Sequence, residues 1–131
     1  MMKFVITDGP FVARSASFLW WKRVYFGRGY MTLQPRVQAA VMIHEMYHCI
    51  KHHTERRILA LLTPWVIPRL CRQQELDADA FAAKFGYGPD LYHFLKPCAV
   101  GGPFHPSNDV RRQALLSRVA PVTGQTLAQS A

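Results

Sequence analysis

The pattern of apolar and polar residues divides the chain into a strand-forming N-terminal part and a helical remainder. Residues 1–34 are rich in β-branched and aromatic residues punctuated by turn signals, which predicts short strands such as Lys3–Ile6. The segments Arg23–Phe26 and Tyr30–Leu33 flank Gly27-Arg28-Gly29, whose glycines accept positive φ, so they predict a β-hairpin. The second arm of this hairpin is expected to lead into the first long helix.

Helical spacing governs the rest of the chain. Pro35 suits a first helical position, and residues 36–53 contain neither Gly nor Pro. Val41, His44 and His48 fall on one face of this predicted helix. Three more helices are predicted: residues 69–85 followed by Gly86 and Gly88, residues 89–96, and a helix that Ser107 caps and that runs to about residue 120.

The helix predicted over residues 36–53 contains His44-Glu45-Met46-Tyr47-His48, which reads H-E-x-x-H. Residues four apart lie on one helix face, so His44 and His48 can bind one metal ion while Glu45 lies beside the open coordination positions. This is the arrangement of a zinc-dependent hydrolase. The motif therefore predicts zinc on the two histidines and Glu45 as the general base.

The second long helix offers a third protein ligand, which a catalytic zinc ion requires as a rule. Glu75 and Asp79 are four apart on one face of that helix. Glu75 can complete a His2Glu site, and Asp79 can accept the outer N–H of His44. The alternative is a solvated acidic face that also includes Asp77. Apolar neighbours such as Leu76 place Glu75 and Asp79 near the buried side, which favours the ligand interpretation.

His52 and His53 are rival ligands because they continue the series of histidines along the same helix. A rise of about 1.5 Å per residue separates His44 from His52 by roughly 12 Å, too far for both to bind one ion on a straight helix. The glycine and the third histidine that bend a metzincin site are replaced here by Lys51 and Thr54. His52 and His53 are therefore expected to be exposed or to lie in the second sphere of the metal.

Length and composition indicate one folded domain. The chain has 131 residues, of which 50% are apolar or aromatic and 18% are charged. We expect a single domain over residues 1–120 and a frayed tail over residues 121–131. The formal net charge of +8 suits weak contact with an anionic surface. The basic residues are dispersed and no nucleic-acid-binding signature accompanies them, so nucleic acid is not the expected partner.

Compartment and membrane contact depend on other features. Cys49, Cys71 and Cys98 are an odd number at irregular spacing, which favours a reducing, cytoplasmic location over a secreted disulfide framework. The N-terminus reaches an acidic residue before a signal-peptide core can build. The apolar stretch Ile58–Ile67 is broken by Pro64 and is too short to cross a bilayer. It is expected to be a buried loop, with peripheral membrane contact as the alternative.

Three blocks of the chain resemble the gluzincin metalloendopeptidases of the HtpX and CAAX-prenyl-protease group. The first is the H-E-x-x-H motif with the following His53-Thr54-Glu55-Arg56. The second, residues 75–83, is similar to the E-x-x-A-D-x-x-A-A signature of that family. The third is His105-Pro106-Ser107, with Arg111 six residues after the histidine. These blocks cover residues 35–118 in the order of the family, whereas residues 1–34 are not recognisably shared.

The resemblance implies a mainly helical, zincin-like domain of the α+β class, with a small N-terminal β-hairpin or sheet packed on the H-E-x-x-H helix. HtpX-type relatives usually carry transmembrane helices and this sequence shows none, so a minimal catalytic domain is implied. A loop histidine and a surface arginine are the alternatives for the last block. The implied site has one zinc ion per chain and consists of the ligands His44, His48 and Glu75, the base Glu45, the orienting Asp79, and His105 with Arg111 at the oxyanion.

The expected activity is that of a zinc-dependent metalloendopeptidase in which Glu45 activates a zinc-bound water for attack on a peptide bond. The expected substrate is a polypeptide, which one arm of the hairpin over residues 24–33 can hold as an added strand. Two alternatives stay open at this point. One is a basic nucleic-acid-binding protein with a structural or degenerate zinc site, and the other is a zinc-bearing but inactive partner-binding domain.

Overall fold

The computed structural model describes residues 1–96 and 101–118 and has the predicted α+β class. An N-terminal sheet packs against the helix that carries the H-E-x-x-H motif. Cys98 and the predicted tail over residues 121–131 lie outside the described residues. The elements in chain order are β1 Met2–Ile6, β2 Ala13–Phe18, β3 Trp21–Phe26, α1 Arg28–Met31, α2 Pro35–Ile50, α3 His53–Leu59, the 3-10 turns Ala60–Leu62 and Pro64–Val66, α4 Ile67–Ala82, a π-helical turn Ala83–Tyr87, α5 Gly88–Phe94, and α6 over residues 108–118.

The sheet has three strands in the order β1-β3-β2. β1 runs parallel to β3 and pairs Phe4 with Val24, whereas β2 runs antiparallel to β3 and pairs Ser15 with Val24. β2 is therefore an edge strand, and it contacts both α2 and α3. This arrangement places one edge of the sheet next to the helix of the motif.

The predicted hairpin is wrong in its position. The segment expected as its second arm begins inside the helical turn Arg28–Met31, and the hairpin of the structure joins β2 to β3 through a turn in which Leu19 has φ 51°. Gly27 serves close packing instead of a hairpin turn. Its N–H donates to the Val12 carbonyl oxygen at 2.9 Å, and a Cβ at this position would collide with the backbone of Phe11.

Helix α2 begins with Pro35 at its first turn, as predicted, and ends at Ile50, slightly before the predicted end. His52 then adopts the left-handed conformation, with φ 54°, and α3 begins at the next residue. The chain thus contains the bend that a straight helix lacks. This bend brings the ring of His53 back against the ring of His48 instead of continuing the row of histidines.

Helix α2 lies between two apolar clusters, which fix its position. Helix α4 packs on it with a buried face that includes Glu75 and Asp79, at 7% and 1% exposure, as the sequence predicted. Phe85, just after the end of α4, is exposed. The cluster on the sheet side contains Val24, Phe26 and Cys49, and the cluster on the helix side contains Ala40, Ala82, Leu91, Leu95 and Leu115.

Helix α6 joins the second cluster through Leu115, which is 2% exposed. Ser107 caps this helix as predicted, because its Oγ accepts a hydrogen bond from the N–H of Val110 at 3.3 Å. From the same helix, the side chain of Arg111 reaches Asp79 of α4. The C-terminal part of the described chain therefore contributes directly to the surroundings of the predicted ligands.

The stretch Ile58–Ile67 is not the buried loop that the sequence predicted. Leu62 is 83% exposed and Trp65 is 76% exposed. Pro64 lacks an N–H and cannot continue a helix, so the chain forms two short 3-10 turns. The apolar side chains of these turns are exposed to solvent. Within residues 1–96 and 101–118, the helices are either too short or too polar to cross a membrane.

Candidate metal centre

Three buried donor groups from two helices converge on one point. His44 and His48 lie one turn apart on α2, and their Nε2 atoms are 3.1 Å from each other. Glu75 comes from α4, with carboxylate oxygens 3.3 Å from His44 Nε2 and 3.4 Å from His48 Nε2. The structure thus brings together the three residues that the sequence predicted as metal ligands.

The spacing of these donor atoms fits a divalent metal ion. In a tetrahedral zinc site with bonds of about 2.0–2.1 Å, two donor atoms lie roughly 3.3 Å apart. The separation of 3.1 Å between the two Nε2 atoms is close to that value, and so are the 3.3 Å from His44 to Oε2 of Glu75 and the 3.4 Å from His48 to Oε1 of Glu75. Two imidazole nitrogens aimed at each other and at a carboxylate are unfavourable in a buried site unless a cation or a proton lies between them. His44, His48 and Glu75 can therefore hold a metal ion.

The outer nitrogen of His44 is bound by a buried carboxylate. Nδ1 of His44 lies 2.8 Å from Oδ1 of Asp79. Arg111 holds that carboxylate from the other side, donating from Nε to Oδ2 and from Nη2 to Oδ1, each at 2.7 Å. This chain of contacts directs Nε2 of His44 towards the donor cluster and fixes the position of its ring.

The outer nitrogen of His48 is bound by a second histidine. Nδ1 of His48 lies 2.7 Å from Nδ1 of His53, and the side chain of His53 is buried. If Nε2 of His48 offers its lone pair to a metal, its Nδ1 carries the proton and donates it to Nδ1 of His53. His53 thus lies in the second sphere, as predicted, whereas His52 is turned away towards Glu55 and is partly exposed.

Burial disfavours the charged form of His44, but its hydrogen bonds to Asp79 and Glu75 outweigh burial and raise its pKa to about 10. Burial likewise opposes ionisation of the two carboxyl groups. The hydrogen bond to His44 nevertheless lowers the pKa of Glu75, and the hydrogen bonds to Arg111 and His44 lower the pKa of Asp79. Without a metal, His44 therefore holds a proton between two carboxylates.

The other two histidines are held neutral. Burial and the neighbouring His44 lower the pKa of His48 to about 3. Burial and the neighbouring Arg57 lower the pKa of His53 to about 4. A neutral imidazole is the form that binds a metal, so His48 is ready to act as a ligand at neutral pH.

The donor cluster opens onto a cleft of about 250 Å³. Glu45, the predicted general base, lines this cleft beside His48 and Glu75. His105 also lines it, with a side chain that is 66% exposed and a Nδ1 atom 4.0 Å from Oε1 of Glu75. Arg111 does not line the cleft; its side chain binds Asp79, and its Nη1 atom lies 4.0 Å from Oε2 of Glu75. Its contact with an oxyanion stays a prediction.

Sequence reasoning did not assign Arg57 to the site. Its Nε donates to Oε1 of Gln74 at 2.6 Å, its Nη2 lies 3.6 Å from Oε1 of Glu75, and it lines the cleft. The only sequence signal was a position in the basic run that follows His53. That signal could not reveal the contact because the contact depends on the turn at His52.

A larger cavity, of about 760 Å³, lies elsewhere. Tyr47, Phe81 and Lys84 are among its lining residues, and it contains none of the three metal donors. Its lining is mainly apolar and includes no cluster of metal-binding groups. The smaller cleft is the candidate site because its lining combines metal-donor groups, the carboxylate of Glu45 and basic side chains.

Comparisons with known proteins give no relative on which to base an identity. No protein family model, no curated protein and no solved structure matches this chain. The function has to be argued from the site itself.

Replacement of His53 by Ala should weaken zinc binding about 10–100-fold, because Nδ1 of His48 loses the acceptor that fixes its tautomer. Competition with a chromophoric zinc chelator measures the change in Kd. His93→Ala is the matched control, since His93 is an exposed histidine of α5 that does not belong to the donor cluster. Equal Kd values for the two variants would show that His53 does not support His48.

Zinc binding should release about one proton per ion at about pH 5.5. Folding raises the pKa of His44 from 6.5 to about 10, so the protonated ring stabilises the metal-free fold. This stabilisation is complete below pH 6.5 and is lost as the pH rises through about 10. Zinc displaces the proton of His44, whereas His48, with a pKa of about 3, has none to release. Calorimetry in buffers of different ionisation enthalpy counts the protons. Two histidines of ordinary pKa would release almost two protons.

Proposed function

We propose that this protein is a zinc-dependent metallopeptidase. The observation that carries the proposal is a buried His44–His48–Glu75 donor group, two of whose members, His48 and Glu75, line a cleft together with Glu45. A structural zinc site is closed by four protein ligands, whereas a catalytic site keeps one position for water or substrate. Three donors beside an open cleft and a carboxylate fit the second kind of site.

The donor set supports zinc as the metal. Two imidazole nitrogens and one carboxylate form the His2Glu set of catalytic zinc sites, whereas magnesium and calcium prefer oxygen ligands throughout. When bound, a zinc ion there supplies Lewis acidity to a water molecule and to a carbonyl oxygen. The protein contributes the fixed donor positions, the second-sphere hydrogen bonds of Asp79 and His53, and the shape of the cleft.

Glu45 is the proposed general base. It lies next to His44 in the chain, and its partly buried carboxylate lines the cleft beside His48. From this position it can accept a proton from the attacking water and later deliver it to the leaving amine. Arg57 and His105 line the same cleft, as does Arg14, and their side chains can donate hydrogen bonds to a developing oxyanion.

The free edge of β2 supports an extended peptide as the substrate. The N–H of Ser17 donates to Oγ1 of Thr54 at 3.3 Å, so the backbone groups of Ser17 point away from β3. In an antiparallel pair every second residue has the same orientation, so Ala13 and Ser15 also present their N–H and C=O groups outwards. Both residues line the cleft, where a peptide can add as a further strand.

The alternative of a nucleic-acid-binding protein draws on the net charge of +8. It gives no reason for burying two histidines and a glutamate at metal-binding distances from one another, which is costly without a function. We therefore propose it second. Its distinguishing property is polyanion binding that weakens steeply with salt and does not depend on zinc.

Replacing Glu45 by Gln should lower kcat on unfolded protein substrates about one hundred- to ten thousand-fold, because the amide cannot take a proton from water. Zinc content, measured as metal per chain, should stay unchanged since Glu45 is not one of the three donors. Asp8→Asn is the control because Asp8 is an exposed carboxylate that does not line the cleft. Undiminished proteolysis by the Glu45 variant would refute its role as base.

Replacing Ser15 by Pro should lower kcat/KM on unfolded protein substrates about tenfold, because proline removes the outward N–H that a peptide strand would use. Ser15→Ala is the matched control, since it removes the hydroxyl but keeps the backbone donor. Circular dichroism checks that both variants keep the fold. Equal kcat/KM values in the two variants would count against substrate binding along β2.

A further inference from the structure

Exposed apolar side chains extend from the last residues of α3 to the beginning of α4. The chain in this region consists of two single 3-10 turns, closed by the local hydrogen bonds Thr63 N–H to Ala60 O and Val66 N–H to Thr63 O. These turns pack chiefly against each other and against the adjoining helices. We call the exposed run the apolar surface; its members are Ile58, Leu59, Leu61, Leu62, Trp65 and Val66.

The degree of exposure sets this run apart from ordinary surface residues. Leu62 and Trp65 are 83% and 76% exposed, and four further large apolar residues lie within the same nine positions. Single exposed apolar residues need no explanation, but six large ones within nine consecutive positions favour a surface that another molecule covers. Some other molecule is therefore expected to cover it.

The charged residues in the stretch of chain that contains the apolar surface are all basic. The sequence from residue 56 to residue 74 contains four arginines and no acidic residue. Arg56, Arg69 and Arg72 are exposed, and within the described part of the chain they form no ion pair. Arg57, in contrast, is turned into the cleft towards Glu75. Basic residues therefore flank the apolar surface at both ends.

We propose that the apolar surface binds the interface of a bilayer that contains anionic lipids. Leu, Ile and Trp side chains enter the boundary between headgroups and acyl chains, and Trp is favoured at that depth. The three exposed arginines then lie at the level of the lipid phosphates, which complements their charge. This mode of attachment does not require a transmembrane helix.

This attachment places the cleft beside the bilayer. Arg57 lines the cleft, and the apolar surface begins at the next residue, Ile58. Polypeptide segments close to the membrane surface would therefore meet the donor cluster at high local concentration. The lipid-binding proposal itself does not rest on the proposed peptidase function, since its test measures binding and not hydrolysis.

Vesicle flotation of the full chain tests the proposal. We expect the protein to float with vesicles that contain phosphatidylglycerol and to float far less with vesicles of pure phosphatidylcholine. The double substitution L62S and W65S should lower the partition coefficient at least about tenfold, because it removes the two most exposed members of the apolar surface. The matched control is M31S with F85S, two exposed apolar residues outside this surface.

A second set of variants tests the charges. Substitution of Arg56, Arg69 and Arg72 by Gln should lower binding to phosphatidylglycerol vesicles about fivefold per arginine. The control replaces Arg28, Lys84 and Lys96 by Gln, which changes the net charge equally on other exposed positions. Unfolding curves of the variants check that these exposed substitutions leave the fold intact.

Three outcomes would overturn the proposal. The first is that the wild-type chain does not float with anionic vesicles. The second is that the L62S and W65S double variant binds as well as its M31S and F85S control, and that the arginine variant binds as well as its control of equal net charge. Binding would then depend on net charge alone. The third is that the wild-type chain does not bind vesicles but dimerises with rising concentration, and that the L62S and W65S double variant does not dimerise. The apolar surface would then be an interface with a second copy of the chain.

Discussion

Asp79 is the buried carboxylate on which the geometry of the metal centre depends. Its side chain is 1% exposed, and it bonds to His44 of α2 and twice to Arg111 of α6. A buried carboxylate of this kind is held in one arrangement, because loss of a single partner costs about 3–5 kcal/mol. Asp79 and Glu75 both belong to α4. By binding His44 and Arg111, the carboxylate of Asp79 therefore fixes the packing of α2, α4 and α6 at the point where His44 faces Glu75.

The two histidines of the centre are supported by different chemistry. His44 is backed by an ionised carboxylate that is itself held by Arg111, whereas His48 is backed by the neutral ring of His53. A carboxylate raises the basicity of the imidazole that donates to it, while a neutral ring chiefly fixes the tautomer. The centre is therefore electrically asymmetric, and the proton of the metal-free protein resides on His44.

Helical spacing predicted most of the candidate site, because residues four apart lie on one face wherever the helix is placed. It identified His44 and His48 on α2 and the buried pair Glu75 and Asp79 on α4. Turn signals were a poorer guide. Gly27 was interpreted as part of a hairpin loop, but this glycine is required by a close approach to the backbone of Phe11, which no local pattern distinguishes from a turn.

The sequence by itself determined the donor set and the helices that carry it, since periodicity and capping are local properties of the chain. Only the tertiary structure decided which other residues surround those donors. The left-handed turn at His52 returns His53 to His48 and brings Arg57 to the cleft, and the packing of the sheet on α2 places the edge of β2 there. These contacts depend on the direction of the chain after a turn and on long-range packing, which local sequence patterns do not encode.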